Sequence, residues 1–406
     1  MNRIKSIIND YRQELNIEIM NQLILTLILF SICNLGLAQI DETNNLGGMD
    51  FYIHEEVTNA DGEVEKELID LWQNYISDGN FQDVNSPYWS FENMNVPDEN
   101  FWAIGIEKLN EKEYKVQCKV IGIFEVGNGY WSLISSFSHL DESREVHLDV
   151  ISAVYAKKIE GKYLLISSAE YLKSVFEHRK VGGINYYIHP FHKFKLAEAE
   201  RMNKYNLEMS KEFGVEPLEF DYFVASNARD IARTWGYEYM NRMYNPSGKG
   251  GIASWRNMII YSGNNSSYFP HELVHLYTYH VVPKDPHLWV GEGIATFYAG
   301  TSTYSFQGHM SKLKQFLDDN PEYDLSDISK LKKTIPNGEH ASDFRYVIGG
   351  LLMRNIYEKE GVKGLVDSLK YGKSDKEFYR LIEDKLAVKK NDFDKYIKME
   401  MKNYSE

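Results

Sequence analysis

The chain of 406 residues carries two cysteines, Cys33 and Cys118. Cys33 falls in a segment expected to be removed, so no intrachain disulfide remains and stability must come from core burial. Cys118 sits in the apolar alternation around Val116 and Val120, the setting of a core filler. No histidine-rich region accompanies it, as a nucleophile would need. Basic charge is short as well: 45 Lys and Arg against 59 Asp and Glu give a net charge of −14. That balance argues against nucleic acid as a partner and offers no polybasic face for anionic lipid. A membrane-length apolar run is also missing from the N-terminal segment. Leu23 to Ile32 is ten residues with Thr26 and Ser31 mildly polar, whereas a span takes about 20. The run leads to Gly36-Leu37-Ala38, small at the two positions that matter before a cut at Gln39. Residues 1–38 are therefore expected to be a signal segment. Met20 is an alternative start, although it leaves no basic residue in the n-region. A lipid anchor through Cys33 is the weaker reading, because Phe30-Ser31-Ile32 sets a bulky residue before the cysteine. The expectation is export to the periplasm or extracellular space, with no stable membrane insertion after signal removal.

What remains is long enough for two or three domains of about 100–200 residues, with 43% hydrophobic and 14% aromatic residues to build cores. In 39–180, Val64, Leu68, Leu71, Trp72 and Tyr75 fall at helical spacing. Strand signals follow at Tyr114 to Glu125 and Tyr130 to Phe137, joined by Asn128-Gly129. Val146 to Lys157 and Tyr163 to Ser167 pair around Glu160-Gly161. One helix plus a meander of antiparallel strands predicts an accessory α+β module, and its architecture resembles nuclear-transport-factor-2-like (NTF2-like) domains. A packing or substrate-presenting role is its plain reading. His54-Glu55 is followed four residues on by Thr58, so no second ligand accompanies it.

From Gly182-Gly183 the pattern changes. Ile184 to Ile188 reads as a strand, then Lys193 to Phe213 as a helix with Met202, Tyr205, Met209 and Phe213 on one side and Gly214 at its end. Leu218 to Ala225 is a strand, Asn227 with Asp230 caps a helix, and Met258 to Tyr261 is a further strand. A mixed sheet packed on helices is expected over 181–406. Gly250-Gly251-Ile252-Ala253 leads into the last strand and reads either as a glycine-rich turn or as an edge where another backbone could pair.

The chemistry-bearing stretch comes next: His271-Glu272-Leu273-Val274-His275. Two histidines four apart share one helix face, so both imidazoles reach one metal ion while Glu272 can address water on it. Pro270 suits a helix start and Pro283 requires its end. Trp289-Val290-Gly291-Glu292-Gly293-Ile294-Ala295 follows, and a second helix there would turn Glu292 toward the histidines. Two imidazoles and a carboxylate leave the fourth position open, as catalytic zinc requires, and no cysteine is at hand to close it.

HELVH with WVGEGIA, sixteen residues apart between His275 and Glu292, resembles the gluzincin clan of zinc peptidases, and most the bacterial "peptidase MA-like" proteins. The similarity covers roughly residues 180–400. The resemblance implies a Zn2+ cofactor held by His271, His275 and Glu292, with Glu272 as general base in peptide-bond hydrolysis of a peptide or protein substrate. The other main HExxH class has a third histidine six residues after the second, where this chain has Val281. Tyr346 is the first candidate to stabilise the oxyanion, because Tyr346-Val347-Ile348-Gly349-Gly350 resembles the family's tyrosine-glycine helix. His340, in a polar loop, is the second, and for either a packing or surface role is the alternative. An aminopeptidase needs a carboxylate for the free amine, and Gly251-Ile252-Ala253-Ser254 supplies none, which favours endopeptidase action. A non-catalytic peptide-binding protein on the same scaffold is the rival from another class. His280 and His287 flank the metal loop, whereas His189, His192 and His309 read as ordinary surface or cap residues. Ser374 with Glu377 reads as a capping box rather than the end of a phosphate loop, since Asp367 stands where that loop's first glycine belongs.

Overall fold

The computed structural model describes residues 49–58, 62–79, 86–90, 116–240, 243, 250–331, 334–335 and 342–404. The expected signal segment, Cys33 and His340 lie outside them.

The first sheet follows from hairpin chemistry. Strands β1 (Met49–Ile53), β2 (Val116–Gly127), β3 (Tyr130–Leu140), β4 (Val146–Ile159) and β5 (Lys162–Ile166) lie in that order. β2 to β5 form the expected antiparallel meander. Asn128 and Gly129, like Glu160 and Gly161, all have positive φ, the tight-turn geometry that matches strand twist. Helix α1 (Glu63–Asp78) buries Leu68, Trp72, Tyr75 and Ile76. Trp72 Nε1 donates to Ser135 Oγ of β3 at 3.0 Å, which fixes the helix on the sheet. Cys118 is fully buried, and burial pushes its thiol up to about 12, consistent with packing rather than reactivity. The parallel pairing of β1 with β2 was not legible from alternation.

The chain then runs α2 (Ser168–Val175), β6 (Glu177–Val181), β7 (Ile184–Ile188), α3 (Leu196–Phe213), β8 (Phe220–Val224), α4 (Ala228–Thr234), β9 (Tyr237–Met240), β10 (Gly251–Ser254) and β11 (Ile259–Ser262). Gly214, at φ 67°, ends α3, and Asn227 Oδ1 accepts the Asp230 amide at 2.9 Å to start α4. The second sheet has the order β10-β11-β8-β7-β6, with β7, β8 and β11 parallel and both edge strands antiparallel. β9 instead returns to the first sheet and pairs with β4, Val150 opposite Met240 and Ser152 opposite Tyr237. The 180/181 boundary expected from sequence therefore does not coincide with the division between sheets. Four-residue strands such as β9 and β10 are too short for periodicity to reveal.

Helices follow, α5 (Pro270–Val281), α6 (Leu288–Ala299), α7 (Phe306–Asp319), α8 (Phe344–Ser368), α9 (Asp375–Leu386) and α10 (Phe393–Asn403), with a small antiparallel strand pair, Thr334–Ile335 and Ser342–Asp343, between α7 and α8. One core joins these helices, α3 and the second sheet, with Met202, Tyr222, Leu273, Ile294, Leu313, Leu351 and Phe378 among its buried members. Tyr277 ties α5 to α3, its hydroxyl donating to Asn206 at 2.6 Å. Ser374 Oγ accepts the Glu377 amide at 3.3 Å, so the expected cap of α9 is present.

Candidate metal centre

Pro270 occupies the first turn of α5, where a missing amide costs nothing. His271 and Glu272 follow it, and His275 lies one turn on. α6 is started by His287, whose Nδ1 accepts the Trp289 amide at 3.3 Å while Nε2 meets Asp375 at 3.2 Å. This histidine anchors the loop between the two motif helices. His280, on the last turn of α5, is exposed.

The packing of α6 on α5 brings three donors together. His271 Nε2 lies 3.2 Å from Glu292 Oε2 and 3.3 Å from His275 Nε2, and His275 Nε2 is 3.6 Å from the same oxygen. A tetrahedral zinc with bonds of about 2.0–2.1 Å would hold its donors about 3.3–3.4 Å apart. The donor set therefore fits zinc in both chemistry and spacing. His271 Nδ1 is 2.5 Å from the Gly300 carbonyl. Donating its proton there leaves Nε2 as a lone pair aimed inward, the tautomer a ligand needs. Burial opposes ionisation of Glu292, but His275 and His271 hold its carboxyl well below the usual range. It is a ready anionic ligand.

Glu272 is buried and takes another role. Burial pushes its carboxyl up to about 7, His271 opposing and Glu292 reinforcing the rise, and the Ala253 amide donates to it. Ala253 belongs to β10, an edge strand of the second sheet. The glycine-rich stretch is thus a strand rather than a turn. The small residue at 251 is required by packing, since a Cβ there would sit 2.1 Å from the Phe269 ring.

Tyr346 is the third residue of α8. Its ring lies edge-on to His271 with centroids 5.9 Å apart, and burial raises its hydroxyl above the ordinary value. His309, read from sequence as an ordinary residue, is buried beside it, with ring centroids 6.4 Å apart. Its Nδ1 is 2.6 Å from Ser342 Oγ and its Nε2 3.1 Å from Thr301 Oγ1. The signal for it was present: Phe306, Met310, Leu313, Phe316 and Leu317 define the buried stripe of α7, and position 309 falls on it. His192 is likewise buried and meets Asn265, while His189 stacks edge-on to Phe176.

No family model and no curated protein matches the chain. Among solved structures, a mutant M1 zinc metallopeptidase of Deinococcus radiodurans bound to a Tyr-Ser-Ala substrate is similar over 71% of this chain and 64% of that one, at 11% identity and a TM-score of 0.28. That likeness is too slight to assign fold or activity, and the chain spans less than two thirds of that structure's length.

Proposed function

We propose that the chain is an exported zinc-dependent peptidase of the gluzincin type, with His271, His275 and Glu292 as metal ligands and Glu272 as general base. The observation that carries this reading is the division of labour between two carboxylates. Glu292 stands against both imidazoles, 3.2 Å from His271 and 3.6 Å from His275, while Glu272, one residue from a ligand, is buried and turned to the Ala253 amide instead. A carboxyl placed beside the ligands but not among them can accept a proton and return it, which a purely structural site has no use for. Bound zinc would supply a Lewis acid and lower the pKa of water toward about 7.

Glu272 takes the proton of the attacking water and delivers it to the leaving amine. The Ala253 amide orients that carboxylate from β10, whose outer edge is a place for an extended peptide backbone. Tyr346 is the oxyanion partner we assign, since its ring lies beside His271. β10 carries no acid to hold a free amine, which supports endopeptidase action. Residues 39–180 would serve as the accessory module. No helix among the described residues is long and apolar enough to cross a membrane.

Metal analysis of the purified chain tests the ligand assignment, and His271→Ala should lose the zinc bound there. Glu272→Gln should retain that zinc yet cleave nothing in a peptide library that the wild type digests. Zinc binding with no wild-type cleavage would favour the non-catalytic scaffold instead. Mapping the cleaved bonds decides between internal and terminal action.

A further inference from the structure

A second cluster of metal-ligating side chains stands at the tip of the β3–β4 hairpin. The sequence there repeats itself: His139-Leu140-Asp141 and His147-Leu148-Asp149. Because the strands are antiparallel, the repeat folds onto itself with His139 directly opposite His147. Their rings stack with centroids 5.1 Å apart and planes 19° apart.

The two halves of the repeat are used differently. His139 and Asp149 are largely buried and paired, Nδ1 to Oδ2 at 2.6 Å. They form a fixed shelf for the His147 ring. His147 and Asp141 face solvent, with Nε2 and Oδ2 2.9 Å apart. Asp141 is locked by the turn, since its Oδ1 accepts the amides of Ser143 and Glu145 at 2.9 Å each and the Ser143 hydroxyl at 2.7 Å. Its other oxygen is left facing His147. Glu145 completes a triad: one ligand atom each from Asp141, Glu145 and His147 lies within 4.8 Å of the others. Asp141, Glu145 and Asp149 are the carboxylates that act most on His147. An imidazole and two carboxylates, with Asp141 fixed by the turn and the group exposed on one side, match the donors taken by zinc and leave a position for water.

We propose that the β3–β4 hairpin holds a second, exchangeable zinc ion, ligated by Asp141, Glu145 and His147 and distinct from the α5–α6 centre. The His139 ring, held by Asp149, stacks behind His147 and limits its orientation. Exposure makes this the weaker of the two sites.

The test uses the full chain, stripped of metal and titrated with zinc alone against a chromophoric chelator. The expected result is two equivalents, the weaker one at least ten-fold weaker still in His147→Asn and in Asp141→Asn. A wild type that takes one equivalent, retained by both variants, overturns the proposal, as do two equivalents that both variants keep. One equivalent lost in these variants supports the hairpin site and removes zinc from the α5–α6 centre, so the two assignments fail separately. Imidazole NMR of the wild type needs no variant: the weaker equivalent should shift the His147 nitrogen signals, and unmoved signals at saturation overturn the site.

Discussion

Gly293 of α6 lies against Gly349 of α8 so closely that a Cβ on Gly293 would stand 2.5 Å from the Gly349 carbonyl carbon. A Cβ on Gly349 would in turn meet the Trp289 carbonyl oxygen at 2.5 Å. This backbone-to-backbone contact sets Glu292 and Tyr346, from two different helices, around one centre. Gly293→Ala should force the helices apart at a cost of about 1–3 kcal/mol. It should also weaken zinc binding, although the residue touches no ligand. Denaturant midpoints and zinc titration on the same variant check both effects, and unchanged values would show that the contact is dispensable.

Tyr346→Phe isolates the oxyanion role. The ring and its packing on His271 are kept and only the hydroxyl is lost. If Tyr346 acts at the transition state, kcat should fall about 100–1,000-fold with KM and zinc content unchanged. Equal kcat would return Tyr346 to a packing role.

His309 predicts an acid-sensitive stability. Burial, aided by His271 and Lys312, drives its pKa down to about 4, below the ordinary value near 6.5. Between those values the unfolded chain binds a proton that the folded chain refuses. The stabilisation is therefore complete above about pH 6.5 and is lost as the pH falls toward about 4, by about 2 kcal/mol at pH 5. In His309→Gln the drop in urea midpoint between pH 7.5 and 5 should be smaller than in the wild type. An identical drop would place the acid sensitivity elsewhere.

Cys118 should resist thiol reagents in the folded chain and react once the chain is unfolded in urea. Its substitution by Ser should cost about 1–3 kcal/mol, because a hydroxyl would be buried in a site made for sulfur. Rapid labelling of the native protein would contradict the burial of this side chain.

Local chemistry was legible in the sequence wherever one stretch of chain determines the outcome. The turns at Asn128-Gly129 and Glu160-Gly161, the caps at Asn227 and Ser374, and the start of α5 at Pro270 all depend on residues a few positions apart. The donor cluster was legible because the helix period joins His271 to His275, and the downstream motif suggested Glu292. Long-range relations were not. Nothing near Tyr237 announces that β9 will lie against β4, since the partner is more than eighty residues earlier and the strand has four residues. His309 reads from sequence as a polar residue, although its place on the stripe of α7 requires burial.

The return of β9 has a consequence for the order of events at synthesis. β4 is flanked along one half by β5 and along the other by residues 237–240. The first sheet therefore stays one strand short while β6, β7, α3 and β8 are being made, leaving amide and carbonyl groups of Val150 to Ser152 open to other partners. A chain truncated near residue 235 should expose that edge, and extension through Met240 should close it.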